Sequence, residues 1–174
     1  MFFTIKFKKN KMKKIYLLIT GIITSLFSYS QNQLFIPTTI TGTSVNLTIK
    51  DSSVQFYTGA ITNTIGINGS ILGPTLVLNQ GDFVNFSVNN QLTESTTIHW
   101  HGLHVAPQND GGPHTVINAN STWSPSFTIL DKAATYWYHP HLHKYTDKHV
   151  SKGAAGLIIV KDSIEATLNL PRNY

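Results

Sequence analysis

Residues 75–90 read TLVLNQGDFVNFSVNN, and this stretch shows the alternation from which the fold is inferred. Two apolar runs flank a Gln-Gly turn, and in the second run Val84, Phe86 and Val88 alternate with polar residues. An alternation with a period of two is typical of a β-strand that buries one face and exposes the other. The stretch therefore predicts two strands joined by a short turn.

Further strand patterns obey the same rule along most of the chain. They occur in NLTIKDSSVQF (46–56), STWSPSFTIL (121–130), ATYWYHP (134–140) and GAAGLIIVKD (153–162). Gly, Pro, Asn and Asp separate these runs, and no amphipathic helix stands out. Several short strands with turn signals between them predict an all-β protein, either a β-sandwich or a β-barrel. The final residues, ATLNLPRNY (166–174), are interpreted as the end of a strand and then a connector.

The first thirty residues have the order of a secretory signal peptide. A basic run, KFKKNKMKK (6–14), precedes an apolar run, IYLLITGIITSLF (15–27), and small residues come next at Ser28 and Ser30. Cleavage is expected after Ser30, and Met12 is a candidate for the true start. The alternative is an N-terminal membrane anchor, for which the apolar run is short. Because the leader has no twin-arginine pair, we expect Sec-type export to the periplasm or the medium.

The charge balance depends on this leader. Six of the thirteen Lys and Arg residues lie in residues 1–30, where there is no acidic residue. The remaining 144 residues carry seven basic and eight acidic side chains, a net charge of −1. A nucleic-acid partner therefore has no electrostatic basis. The chain has no cysteine, which excludes disulfides, thiolate metal ligands and a cysteine nucleophile from it.

The histidines form two clusters. All eight lie between residues 99 and 149, and three of them are in TIHWHGLHV (97–105). Because side chains alternate along a strand, His99 and His101 project from one face and Trp100 from the other, toward packing. One His-x-His pair on a strand is by itself a weak signal for a metal site.

A second His-x-His pair, His139 and His141, lies in YWYHPHLHKY (136–145). The proline between them lacks a backbone donor, which favours a strand end or a sheet edge. Two such pairs, facing each other across a sandwich, predict a metal site. Imidazole ligands without thiolates suit copper or zinc.

The four remaining histidines are expected at the surface or beside the ligands. Two of them, at positions 104 and 143, share a face with their pairs and are the strongest exceptions. The four are His104, His114, His143 and His149.

Together, HWHGLHV, DGGPH, YWYHPHLH, GAAGLIIVKD and LPRNY resemble the first cupredoxin domain of three-domain bacterial multicopper oxidases. The resemblance covers residues 35–174 and points to the branch of cuprous oxidases, spore-coat laccases and bilirubin oxidases. It implies that residues 31–174 form a cupredoxin-like Greek-key β-sandwich or barrel. It also implies that LPRNY begins the linker to a second domain, which is missing from this chain.

The resemblance assigns a role to each paired histidine. His99 would bind the type 2 copper, and His101 and His139 would share one type 3 copper. His141 would bind the other type 3 copper, so each His-x-His pair would bridge two ions. Asp110, in the DGGP stretch, would help to deliver protons to dioxygen. The alternative for Asp110 is a turn residue, since Asp-Gly is a turn signal.

The chain also departs from the family pattern. The family's trinuclear copper site takes four histidines from the first domain and four from the third, and this chain has only the first four. The family's type 1 copper needs a cysteine, and this chain has none. We therefore expect no oxidase turnover from the chain alone, and its status as an enzyme depends on the missing domains 2 and 3.

Three hypotheses are consistent with these motifs. In the first, the chain is part of a secreted multicopper oxidase that reduces dioxygen to water while it oxidises phenolic, metal-ion or bilirubin-like substrates. In the second, it is a stand-alone periplasmic copper-binding module without turnover. In the third, a His-x-His strand and one further histidine hold zinc for a hydrolase or lyase. No membrane partner is expected after cleavage of the leader.

The first hypothesis makes a geometric prediction. His99, His101, His139 and His141 should converge at one edge of the sandwich, with apolar or aromatic surface beside them. A separation of the two pairs by more than about 15 Å would contradict a shared copper cluster, whose ions lie roughly 4 Å apart.

Overall fold

The computed structural model describes residues 9–26 and 35–169, and the chain divides into two compact units. The first unit, Met1–Phe35, contains helix α1 (Lys9–Leu26). Within the two described ranges, no helix is long and apolar enough to cross a membrane. The expected cleavage site after Ser30 lies outside the described residues, so the signal peptide stays a prediction.

The second unit, Ile36–Tyr174, consists mainly of β-strands. Its elements, in chain order, are β1 (Thr39–Thr41), β2 (Ser44–Tyr57), β3 (Ala60–Ile67), β4 (Thr75–Asn79), β5 (Phe83–Asn90), β6 (His99–His101), β7 (Ser121–Trp123), β8 (Ser126–Thr128), β9 (Ala134–His139), α2 (Thr146–Ser151), β10 (Gly156–Lys161) and α3 (Ser163–Thr167).

The strands form two sheets, as a β-sandwich requires. The first sheet has the order β1-β4-β10-β9-β6, and β4 runs parallel to both β1 and β10. We call it the site sheet, because its strands β6 and β9 carry His99, His101 and His139. The second sheet has the order β3-β2-β5-β7, and β8 also pairs with β5. The strand pattern expected within residues 75–90 is confirmed, because Val84, Phe86 and Val88 are buried on β5.

The core packs around aromatic side chains from both sheets. Trp100 is fully buried, and its ring centroid lies 4.3 Å from that of Phe86. Tyr138 is also fully buried and donates its hydroxyl to the carbonyl of Pro74 at 2.8 Å. Gly156 lies against the Tyr138 ring, where an added Cβ would come within 2.3 Å of two ring-end atoms. The predicted packing role of Trp100 is therefore confirmed.

Two elements differ from the sequence interpretation. The sequence patterns do not predict β3, which pairs with β2 along most of its length. The expected strand end at residues 166–174 is wrong in its described part, because residues 163–167 form α3. Asp162 caps this helix by accepting from the backbone N–H of Glu165 at 2.7 Å, which favours a helix start over a continued strand. The expected linker, residues 170–174, lies outside the described residues.

Candidate metal centre

His99, His101 and His139 lie on neighbouring strands of one sheet, and His141 follows the end of the second strand. β6 pairs with β9 in antiparallel register, which places His99 opposite His139 and His101 opposite Trp137. The expectation that the pairs face each other across the sandwich is therefore wrong. Period-two alternation turns Trp100 into the core and the flanking histidines to the outer face of the site sheet.

The four paired histidines converge, as predicted. The ring centroid of His99 lies 5.7 Å from that of His101, 5.6 Å from that of His139 and 5.4 Å from that of His141. The rings of His139 and His141 are 5.9 Å apart. These distances are far below the separation that would contradict a shared cluster.

His101 and His139 bring two ring nitrogens together. Nδ1 of His101 lies 3.2 Å from Nε2 of His139. Two imidazole nitrogens bound to one tetrahedral ion at about 2.0–2.1 Å would be about 3.3 Å apart. Without a metal, one of the two nitrogens can donate to the other, so the same geometry also satisfies the metal-free side chains. The pair fits two ligands of a single ion.

Hydrogen bonds hold the other ring nitrogens. Nδ1 of His139 lies 2.9 Å from the carbonyl oxygen of Pro140, an acceptor only, so Nδ1 is the protonated nitrogen and Nε2 carries the lone pair. Burial lowers the pKa of His139 below its ordinary value, the hydrogen bond to Pro140 opposes this, and the charges of neighbouring imidazoles add to the lowering. The lowered pKa favours the neutral, metal-binding form over most of the physiological range.

Asp110 contacts His99 through two oxygens. Nδ1 of His99 lies 3.0 Å from the Asp110 carbonyl oxygen and 3.1 Å from its carboxylate oxygen Oδ2. His99 therefore donates from Nδ1, and its Nε2 is the nitrogen that can bind a metal. The loop of Asp110 is held in turn by Trp100, whose indole nitrogen donates to the Asn109 carbonyl at 3.0 Å.

His141 lies beyond the end of β9 and has a different support. Its backbone N–H donates to the hydroxyl of Thr97 at 2.6 Å. Thr97 is fully buried and lies two residues before His99 in the chain. A side chain rather than the β-ladder therefore connects the second pair to the first at this point.

The four remaining histidines lie apart from these contacts. His104 is exposed and pairs with the carboxylate of Asp131, and His114 and His143 are exposed, as expected. His149 differs, since it is fully buried in α2. Its Nδ1 lies 3.1 Å from the Thr96 hydroxyl and its Nε2 lies 3.0 Å from a Glu94 carboxylate oxygen. A surface position for His149 is therefore wrong, because two polar partners satisfy its ring inside the fold.

A family model described as multicopper oxidase matches residues 48–165 of the chain. The chain belongs to the multicopper oxidase family. The cupredoxin-like fold implied by the sequence motifs is confirmed by the laccase-like multi-copper oxidase CueO of Ochrobactrum sp., which superposes with a TM-score of 0.77 at 39% identity. That match covers 82% of this chain and 33% of the other.

Two relatives of this multicopper oxidase chain carry different names. Multicopper oxidase mco of Staphylococcus aureus is 42% identical over 131 residues, which are 75% of this chain and 29% of that protein. Cell division protein FtsP of Glaesserella parasuis serovar 5 is 34% identical over 154 residues, which are 87% of this chain and 33% of that protein. The chain thus spans about a third of the length of these relatives.

The outer face beside the histidines is apolar, as predicted. The Trp137 ring stacks on that of His139 at 4.0 Å and lies 5.0 Å from that of His101. Leu157, the cross-strand neighbour of Trp137, is 49% exposed. A cavity of about 440 Å³ opens on this face, with Trp137 and Leu157 in its wall. Sequence reasoning did not single out Trp137, although period-two alternation places it on the face of His139.

No three His, Asp or Glu side chains among residues 9–26 and 35–169 are grouped closely enough to hold one ion.

Proposed function

We propose that this chain supplies four of the ligands of a trinuclear copper site in a secreted multicopper oxidase. The carrying observation is the convergence of the two His-x-His pairs, with Nδ1 of His101 and Nε2 of His139 only 3.2 Å apart. The four converging histidines support an oxidase role, which the name of the mco relative states, over a role in cell division, which the name of the FtsP relative states.

Each histidine would hold copper through a defined nitrogen. His99 would bind the type 2 ion through Nε2, because Asp110 occupies Nδ1. His101 and His139 would bind one type 3 ion through the nitrogens that face each other. His141 would bind the second type 3 ion. Copper, when bound, would supply the one-electron steps that reduce dioxygen to water.

The chain's own residues orient the ligands and hold a proton. Asp110 directs the His99 ring, and its carboxylate lies at the edge of the site, half-buried. A carboxylate in this position can pass protons toward dioxygen, which is the role proposed for it. Pro140 fixes the His139 tautomer through its carbonyl, and Trp137 covers that ring from one side.

We propose that further domains of the same polypeptide complete the site. The remaining trinuclear ligands and the type 1 site would come from them, because this chain has no cysteine for electron entry. The basic and apolar leader supports export, so the complete oxidase would act in the periplasm or outside the cell. A reducing substrate of phenolic, metal-ion or bilirubin-like type would deliver the electrons.

The four converging histidines also fit one further candidate, a copper-binding module without turnover, since this chain has no cysteine for a type 1 site. The two candidates share the same four ligands and differ in whether further domains complete the copper site. Oxygen uptake by the full-length polypeptide distinguishes the two candidates. It is measured with a phenol and with cuprous ion as reducing substrates. Turnover supports the oxidase, and copper binding with no turnover supports the module.

The ligand assignment is tested by copper titration of the 174-residue chain. We expect His101→Ala and His139→Ala each to weaken copper binding at least tenfold, since each removes one of two facing nitrogens. His114→Ala is the control, because His114 is exposed and outside the cluster. Copper affinity that is unchanged in both variants would contradict the assignment. Tighter binding of zinc than of copper, retained in the His101→Ala variant, would also contradict it.

A further inference from the structure

The β-ladder positions three of the four paired histidines but not the fourth. The register between β6 and β9 ends at His99 opposite His139. Pro140 comes next and has no backbone N–H, so it cannot extend the ladder. His141 therefore needs another contact to hold its backbone in place.

That contact comes from the segment that leads into β6. The Thr97 hydroxyl accepts from the backbone N–H of His141 at 2.6 Å, and Thr97 is fully buried. Only Ile98 separates Thr97 from His99. One buried hydroxyl thus joins the segment that enters the first His-x-His motif to the last residue of the second.

A polar network supports the same segment from the other side. His149 bonds to the Thr96 hydroxyl through Nδ1 and to the Glu94 carboxylate through Nε2, at 3.1 Å and 3.0 Å. Lys148 donates to both Glu94 oxygens at 2.7 Å. These contacts attach α2, which begins five residues after His141, to the chain just before β6.

The turn between His141 and α2 is therefore held at both ends. Thr97 holds its start, and the buried His149 ring holds the helix at its other end. Within the turn, the Thr146 hydroxyl donates to the Leu142 carbonyl at 3.0 Å, and the Tyr145 N–H donates to the same carbonyl at 3.0 Å. Side chains of residues 94–97 thus contact both the start of the turn and the helix that ends it.

We propose that Thr97 is a positioning residue that sets the place of His141 relative to His99, and that Glu94, Thr96 and His149 brace it. This inference rests on the proposed function, because it takes His141 as a copper ligand. It adds residues that are not among the four proposed ligands. The expected effect is on how tightly the ion of His141 is bound, beyond any effect on folding.

The test compares two changes at Thr97 with a matched change elsewhere. Thr97→Val keeps the shape of the side chain and removes its hydroxyl. Thr97→Ser keeps the hydroxyl and removes the methyl group. Thr64→Val is the control, because Thr64, on β3, is also buried and donates its hydroxyl to the Ser70 carbonyl rather than to a residue of the His-x-His motifs. Copper stoichiometry and affinity are measured on the full-length polypeptide by competition with a chromophoric chelator, because His141 is the single proposed ligand of its ion in this domain. Thermal unfolding is measured without metal.

We expect Thr97→Val to weaken copper binding about 10- to 100-fold, as loss of a ligand's supporting hydrogen bond does. Thr97→Ser should bind copper like the wild type, and Thr64→Val should lose stability while keeping its copper affinity. Wild-type affinity in Thr97→Val would overturn the proposal. Equal weakening in Thr97→Ser and Thr97→Val would also overturn it, since packing rather than the hydroxyl would then be responsible.

Two further measurements separate the possible failures. Hydrogen exchange of the His141 amide in the metal-free wild type should be slow, because its N–H is bonded to a buried hydroxyl. Rapid exchange would overturn the inference even if Thr97→Val does not fold. If His141→Ala binds copper as the wild type does, the ligand assignment itself fails. Weakened binding in His141→Ala with normal binding in Thr97→Val leaves the proposed function standing and overturns only the role of Thr97.

Discussion

His139, a proposed copper ligand, is a side chain whose surroundings favour metal binding. It is almost fully buried, its Nδ1 bonds to the Pro140 carbonyl, and the Trp137 ring covers one of its faces. Because burial lowers its pKa, the ring stays neutral where an exposed histidine would take up a proton. A neutral imidazole is the form that binds copper, so protons compete less well with the metal at this position.

The lowered pKa of His139 predicts a pH dependence of folding in the metal-free chain. The unfolded state binds more protons than the folded state below the ordinary value of 6.5, so stability should rise with pH. The His139 contribution is fully present above 6.5 and is lost as pH falls through the lower, folded pKa. The free energy of unfolding, measured with denaturant at several pH values between 5 and 8, should rise less steeply with pH in His139→Gln than in the wild type. An identical slope in the variant would contradict this account.

At the scale of elements, β6 is an edge strand that a loop completes. β9 pairs with one side of it, and the Trp100 N–H on the other side donates to the Asp110 carbonyl at 3.3 Å. Gly111 makes this approach possible, because its φ is +72° and a Cβ there would lie 1.6 Å from the Ile98 carbonyl oxygen. Asp110 thus lies in a bend and contacts His99, and its role in proton delivery stays a prediction.

A substitution at Gly111 should therefore lower the free energy of unfolding substantially. Gly42→Ala is the matched control, because Gly42 also has a positive φ, +99°, but has open space around its missing Cβ. We expect Gly42→Ala to cost about 1–2 kcal/mol for the backbone conformation alone. Gly111→Ala adds the clash with Ile98 and should lose at least about 3 kcal/mol. Equal losses in the free energy of unfolding, measured with denaturant, would show that the loop is not held against β6.

At the scale of the whole domain, the outer face of the site sheet is unusually apolar beside the histidines. Leu157 and Trp137 adjoin across the strands, and Trp137 is opposite His101 on the next strand. An exposed apolar patch beside the four proposed ligands fits a surface that another domain covers. This agrees with a chain that spans about a third of the length of its relatives.

In the isolated 174-residue chain, the same face should promote self-association. We expect Leu157→Lys to shift sedimentation toward monomer at high protein concentration, with a change in stability within about 0.5 kcal/mol because Leu157 is half exposed. Phe83→Lys is the control, since Phe83 is 57% exposed on the second sheet. If Phe83→Lys has the larger effect, the outer face of the site sheet is not the associating surface.

The sequence alone determined the period-two strands, the side chains that share a face and the two histidine pairs, because these depend on neighbours along one strand. It also identified the family through short motifs. Tertiary structure decided which strands adjoin, so it placed His99 opposite His139 within one sheet rather than across two. It also buried His149 against Thr96 and gave His141 its support from Thr97. These two contacts join residues 44 or more positions apart, and no local periodicity encodes which distant hydroxyl will meet which polar group.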